Sequence, residues 1–406
     1  MTIQEQNQFL TQRRWRVLAA CCITNLCLGA PYAWSVFAGP LAEHLNALHG
    51  TAMTASDLAL AFSFSSSLTF ITMIAGGYLE KKIGARRIIF AGVILFGIGF
   101  LVCGMARSVL AVIFGFGVIG GLANGLGYVC TVSTAVKFFP DKKGLIGGIS
   151  TASYGISSVI IPPIADALNR SVGISRAFTI FGIAIIGIGG LCSLFILNCP
   201  DDYTPTGWNG GSSGAAGTSR DMTALQMLAS PIFYVMLAMM FIGATIGLMM
   251  ISETAAIAQT MLGMSSSAAA LIVSTYALFN TGSRIVVGWI SDKIGRIRTI
   301  TYVLVLMVLS LLAIYLSGFS YGSFMGIYPA FTSDQFGVKY SALNYGILFI
   351  GFSLAGVVGP LIMQKIFSEF GSYRPSFPIA IVFALIGIAL TFLYRAVNRK
   401  FAQKSA

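Results

Sequence analysis

One arginine, Arg284, stands inside an otherwise apolar run, Tyr276-Ala-Leu-Phe-Asn280-Thr-Gly-Ser-Arg284-Ile-Val-Val-Gly-Trp-Ile-Ser-Asp292. Burying a guanidinium at the centre of a bilayer costs about 2.5 to 17 kcal/mol, and the cost is tolerated where the charge faces a cavity, a counter-ion or a substrate. An arginine offers a carboxylate two parallel charge-assisted hydrogen bonds. The chemistry expected at Arg284 is therefore capture of a small organic anion. Asn280 stands four residues earlier and Tyr276 four before that, so the three share one helix face. The competing reading is a structural ion pair between Arg284 and an acid on another helix.

The whole chain supplies the apolar helix that such an arginine needs. Of 406 residues, 56% are hydrophobic and 9% charged, and the mean hydropathy is +0.84. Soluble domains carry about 25% charged residues, so the composition implies a polytopic α-helical membrane protein. The apolar runs are continuous and do not alternate, which argues against a β-barrel. A net charge of +12 could suggest nucleic acid, but the basic residues sit in short clusters between apolar runs. Seven cysteines form neither a metal spacing nor a disulfide framework. With no Walker loop, metal site or catalytic triad in view, neither an enzyme nor a cofactor is expected. Arg13-Arg14-Trp15-Arg16 precedes an apolar run reaching Leu41, too long for a signal peptide, and it reads as a retained first span.

Windows of about 20 apolar residues place spans near 15–41, 56–79, 87–106, 109–137, 144–168, 176–198, 231–257, 267–290, 299–317, 318–333, 343–366 and 374–395. The expected organisation is a six-helix bundle over 1–198, a linker over 199–228 and a second six-helix bundle over 229–406. The linker contains Pro205 and a Gly/Ser/Ala run from Gly210 to Thr218, and reads as flexible. With the N-terminus inside, most lysines and arginines fall on the inner side, against Arg107, Arg170, Arg176, Lys365 and Arg374 outside. That bias puts both termini and the linker in the cytoplasm of a multi-pass protein of the inner membrane. The interval 299–333 is short for two spans and a turn, which need about 40 residues.

A repeat joins the halves. Gly77-Tyr-Leu-Glu-Lys-Lys82-Ile83-Gly84-Ala-Arg86-Arg87 follows the second span, and Gly288-Trp-Ile-Ser-Asp292-Lys293-Ile294-Gly295-Arg296-Ile-Arg298 follows the eighth. Gly, Lys, Ile, Gly and Arg recur at the same offsets, 211 residues apart. Six spans separate the copies, so the halves have equal topology and are related by an axis along the membrane normal.

These paired loops resemble the signature of the major facilitator superfamily. Within it, the chain is similar to the oxalate/formate antiporter family, which is related to the monocarboxylate transporters. The likeness rests on Tyr32-Ala-Trp34-Ser, Lys137-Phe-Phe-Pro140-Asp-Lys-Lys-Gly144, Tyr154-Gly155, Arg284 and Ser341-Ala-Leu-Asn344-Tyr345-Gly346. It implies an all-α membrane fold of 12 transmembrane helices in two pseudo-symmetric bundles around a central cavity. It implies an anion site at Arg284, with Tyr128 and Tyr154 lining the cavity and Tyr32 similarly placed. It also implies gating by Asp292, Lys293, Arg296, Lys82 and Arg86. The signature has an acid before its Lys. Asp292 supplies it in the second copy, whereas Lys81 stands there in the first, with Glu80 one place early.

Asn124, Tyr128 and Thr131 share a face at i, i+4 and i+7, which adds Asn124 to the candidate site beside Asn280 and Tyr276. Phe352 stands where oxalate transporters of the family have a Lys. One buried cation balances one carboxylate, and a second uncompensated negative charge would be costly to desolvate. A monocarboxylate such as lactate, pyruvate or formate is therefore expected. Glu253, among Met249, Met250 and Ile257, is the candidate proton carrier, against a hydrated acid at the outer mouth. The glycines of spans 4 and 5 are expected to serve helix packing. The function expected is alternating-access symport of a small organic anion with a proton by a monomer in the lipid bilayer. Anion exchange with a counter-anion, as for oxalate and formate, and a non-transporting metabolite sensor are the alternatives.

Overall fold

The computed structural model describes residues 2–208, 221–310 and 314–405. These form twelve helical passes: α1 Ile3–His49, α2 Ala59–Ile83, α3 Ala85–Gly104, α4 Val109–Lys137, α5 Lys143–Val172, α6 Ile174–Leu194, α7 Pro231–Thr260, α8 Ser266–Ile294, α9 Arg296–Ser310, α10 Ile314–Phe336, α11 Ser341–Phe370 and α12 Ser376–Ser405. Nine of the twelve, among the described residues, are long and apolar enough to cross a membrane on their own composition. In hydrocarbon each backbone polar group must be satisfied within the segment, so helices are the form these apolar runs take.

The helices start and stop where local chemistry dictates. Thr2 and Glu5 form a reciprocal capping box at the start of α1. Ser108 caps α4 through Ala111 N at 3.3 Å, and Ser265 caps α8 through Ala268 N at 3.3 Å. The repeated glycines Gly84 and Gly295 end α2 and α8 with φ of 88° and 90°. A side chain is strained in that region, so these two positions of the repeat require glycine. α1 is interrupted by a tight turn at Ala30–Ala33 that contains Pro31. α5 breaks between Gly155 and Ser157, and α4 and α6 each contain a π-helical stretch, Ile113–Gly120 and Ile185–Gly189.

The chain divides into two compact units, Met1–Phe138 with Ser153–Thr206, and Phe139–Ala152 with Gly207–Ala406. In the first, Gly121 and Gly125 of α4 lie against the backbone of Ser65 and Thr69 of α2. Phe37, Phe96, Phe100 and Phe178 fill its interior. In the second, α8 packs along α10, and α7 along α11. The first half of α5 belongs to this second unit.

Two expectations change. The short interval holds two helices because both outrun their apolar limits: α9 begins at Arg296, and α10 continues through Asp334 to Phe336. α10 is already helical at Ile314, so the expected boundary between 317 and 318 is too late. The expected linker is docked at both described ends. Tyr203 is buried with its hydroxyl 3.2 Å from Thr11 Oγ1. Met222 is buried and donates its N–H to Phe336 O at 2.9 Å. The Gly/Ser/Ala run itself lies outside the described residues.

Candidate functional site

Arg284 is 4% exposed, at mid-length of α8. Its Nη1 donates to the backbone carbonyl of Thr151 at 2.8 Å, and its Nη2 to Asn280 Oδ1 at 2.9 Å. Thr151 lies in the last turns of the first segment of α5, Lys143–Gly155. The final carbonyls of a helix lack intrahelical donors and carry the negative end of its dipole, about half an elementary charge. Ser157 and Ser158 hydroxyls donate to two of them, Tyr154 O and Gly155 O. Thr151 lies one residue before the last four, so its carbonyl receives the guanidinium in addition to facing the Gly155 N–H of its own helix.

The positive charge on Arg284 is thus met by neutral oxygens. Among the described residues it forms no ion pair. Its Nε and the Asn280 Nδ2 are buried with no hydrogen-bond partner among the described residues. Both atoms are donors, so the arrangement has unused capacity for an acceptor, and the guanidinium makes a negatively charged acceptor the favoured one. Tyr276 continues the same face, buried at 1% exposure.

Backbone contact fixes the height of Arg284. A Cβ on Gly148 of α5 would stand 2.1 Å from Arg284 O, and one on Gly326 of α10 would stand 2.5 Å from it. Along α10, Gly318, Gly322 and Gly326 face Tyr276, Asn280 and Arg284 in turn. Glycines let the helices touch backbone to backbone, and the three site residues are held in register by that contact.

In the first unit the structure brings together Tyr32, Tyr128, Tyr154 and Asn124. The Tyr154 ring stands 5.5 Å from Tyr32 and 4.8 Å from Tyr128, centroid to centroid. Asn124 Nδ2 donates to Leu28 O at 2.7 Å and to Tyr154 Oη at 3.3 Å. Tyr32 is 46% exposed, whereas Tyr128 and Asn124 are buried. Thr131 donates to Asn25 Oδ1 at 2.5 Å, so that hydroxyl serves the packing of α1 on α4. In the second unit Phe352 of α11 is half-buried, with its ring 4.6 Å from that of Phe349.

The repeat loops differ in what they hold. Asp292 accepts the N–H groups of Gly144 and Leu145, both at 2.8 Å, and so caps the start of α5. Arg296 pairs with Asp292 at 2.7 Å and with Asp334 at 2.8 Å, and Lys143 also reaches Asp334 at 2.9 Å. Asp334 was not singled out in the sequence, and Lys143 entered only as part of the Lys137–Gly144 stretch. Their pairing spans 191 positions, and the only sequence signal is an acid at the end of an apolar helix. In the first copy Glu80 pairs with Lys137 at 2.6 Å, and Lys81 with Asp201 at 2.7 Å. Arg86 takes part through its backbone N–H, which donates to Asn198 Oδ1 at 3.2 Å. Lys82 and Lys293 each lie over an aromatic ring, Tyr78 and Trp289.

Glu253 lies two turns before the end of α7, half-buried. Tyr373, in the turn before α12, donates its hydroxyl to Glu253 Oε2 at 2.9 Å. Around them Met249, Met250, Ile257 and Met363 form an apolar cluster. Burial, together with the Glu253 carboxylate that its hydroxyl serves, pushes the Tyr373 phenol up to about 12. Among the described residues no group of three or more metal-ligating side chains occurs.

Twelve helical passes of this apolar composition among the described residues define a multi-pass membrane protein. The chain belongs to the Major Facilitator Superfamily, whose model matches residues 19–328. It is similar to the uncharacterized MFS-type transporter YhjX of Escherichia coli (strain K12), at 30% identity over 85% of this chain and 86% of that protein. It is similar to the oxalate:formate antiporter of Oxalobacter formigenes, at 28% identity over 97% of this chain and 94% of that one. It is also related to monocarboxylate transporters. The crystal structure of the human organic anion transporter MFSD10 (TETRAN) superposes with a TM-score of 0.71 at 12% identity, covering 93% of this chain and 99% of that one. The fold is the major facilitator fold, and the relatives are transporters rather than enzymes.

Proposed function

We propose that this protein is a secondary transporter of a small monocarboxylate of the lactate, pyruvate or formate kind, coupled to a proton. The observation that carries the reading is Arg284, a buried guanidinium with no acidic partner among the described residues and an unpartnered Nε. In this reading the substrate carboxylate lies along the Nε–Nη2 edge of the guanidinium in place of Asn280 Oδ1, Nη1 keeps the Thr151 carbonyl, and Asn280 Nδ2 gives a third donor. Replacing a neutral oxygen with a full charge strengthens each hydrogen bond. Tyr32, Tyr128 and Tyr154 contribute ring walls and hydroxyl donors, with Asn124 orienting Tyr154, and Tyr276 and Phe352 contribute apolar walls.

One cation sets the valence of the substrate. A dianion at Arg284 would keep one negative charge without a partner, and desolvating that charge opposes binding. Glu253 takes the proton, and the Tyr373 hydroxyl steadies its carboxylate by a hydrogen bond. Asp292, Lys293, Arg296, Lys82 and Arg86 act in gating, Asp292 by holding the start of α5. The protein works as a monomer in the cytoplasmic membrane with both termini inside. The likeness to the oxalate:formate antiporter favours a second coupling mode, exchange of one carboxylate for another. The test is uptake of lactate, pyruvate, formate and oxalate into proteoliposomes, with and without a pH gradient and with and without internal counter-anion. Stimulation of monocarboxylate uptake by an inward proton gradient supports symport. Uptake only against a loaded anion replaces symport with exchange. Binding without uptake of any of the four anions leaves a sensor and rejects transport.

A further inference from the structure

A second charged feature lies apart from Arg284. An open cleft of ≈ 420 Å³ is lined by Lys142, Leu145, Trp289, Asp292 and Lys293. Its acid is already engaged: Asp292 accepts the N–H groups of Gly144 and Leu145 and pairs with Arg296. Its two lysines are exposed and form no ion pair among the described residues. Lys293 Nζ sits 3.7 Å from the centre of the Trp289 ring, which is 46% exposed. A cation over an indole is held in place without being neutralised.

The cleft is also the end of an apolar track. Leu271, Leu278, Val286 and Trp289 are exposed and recur along one face of α8, and Lys293 completes that face at its basic end. A ligand that suits the whole feature has an anionic head for Lys142 and Lys293 and an apolar tail for the track. We propose that this cleft binds the phosphate headgroup of an anionic phospholipid, with Trp289 at the level of the glycerol and an acyl chain along α8. Tryptophan and lysine are the side chains that anchor helices at the membrane interface, and each basic residue near an anionic surface adds about 1 kcal/mol. The first copy of the repeat carries the same device, since Lys82 lies 4.6 Å from the ring centre of Tyr78, itself 52% exposed. This site is independent of the anion that Arg284 holds.

The test is native mass spectrometry of the full chain in detergent. Phosphatidylglycerol, phosphatidylcholine and inorganic phosphate are titrated as separate arms. The wild-type protein retains phosphatidylglycerol in preference to phosphatidylcholine, and inorganic phosphate at the same concentration does not displace it. The Lys142→Gln/Lys293→Gln double variant binds phosphatidylglycerol about thirtyfold more weakly, two basic residues at about 1 kcal/mol each, while Lys142→Arg/Lys293→Arg retains it. Equal retention by wild type and the glutamine variant overturns the site, as does equal retention of the two lipids. Displacement by inorganic phosphate overturns the lipid assignment and leaves a free-anion site. A glutamine variant that fails to fold leaves the arginine variant and the two-lipid comparison to decide.

Discussion

Arg284 of α8 donates to the backbone carbonyl of Thr151 in α5 at 2.8 Å. The bond joins a buried cation to a main-chain oxygen, and it helps hold that charge with no acidic partner among the described residues. A neutral carbonyl balances a guanidinium only in part. The remaining capacity is what a passing carboxylate would use.

The closeness of the backbones makes Arg284 sensitive to its neighbours. Gly148→Ala and Gly326→Ala each introduce a methyl group 2.1 Å and 2.5 Å from Arg284 O. Overpacking of this kind costs about 1 to 3 kcal/mol. Both variants should melt at lower temperature in detergent and show reduced uptake. Unchanged melting would mean that α5 and α10 do not pack on Arg284 as described.

Asp292 holds two N–H groups at the start of α5 and pairs with Arg296, all largely buried. Removing one partner of a buried pair costs about 3 to 5 kcal/mol. Asp292→Ala should therefore lower the melting temperature more than Asp166→Ala, whose exposed partner is Arg170. Surface pairs contribute about 0 to 1 kcal/mol. Equal effects of the two substitutions would contradict the capping role.

Much of this was legible in the sequence, for a physical reason. A charge inside an apolar run cannot hide, so Arg284 and its i, i+4 neighbour Asn280 stand out at once. The repeat exposes Gly84 and Gly295 because their backbone conformation excludes side chains. The partner of Arg284 was not legible. A main-chain carbonyl has no sequence signature, so residue types could not name Thr151 as the partner. Asp334 escaped notice because its partners, Lys143 and Arg296, lie 191 and 38 positions away. The start of α10 was placed at 318 because hydropathy alone does not separate two successive apolar helices, whereas Ile314 is already helical.

The Glu253–Tyr373 contact gives a pH dependence with a definite sign. The Tyr373 phenol, pushed up from about 10 to about 12, stays a donor throughout the working range. Its neutral form is favoured in the fold, so that contribution is whole below pH about 10 and is lost as pH rises through about 12. Glu253→Gln should remove stimulation of uptake by a proton gradient while leaving counterflow. Tyr373→Phe withdraws the hydroxyl that reaches Glu253 Oε2 and should weaken the gradient response less than Glu253→Gln does. An unaltered gradient response in Glu253→Gln would remove Glu253 from proton coupling.

Phe352 tests the charge count. Phe352→Lys places a second cation on α11, and the charge argument expects oxalate to gain affinity relative to formate by at least about tenfold, from one added charge-assisted pair. No gain in competition assays would mean that substrate valence is set elsewhere.

The most direct measurement is uptake by Arg284→Ala in proteoliposomes, with insertion checked by protease accessibility and melting by thermal scan. Losing two charge-assisted hydrogen bonds, each contributing about 1.5 to 3 kcal/mol, should lower carboxylate uptake by at least about a hundredfold in a protein that still inserts. Uptake within a few-fold of wild type would contradict the assignment of the substrate anion to this residue.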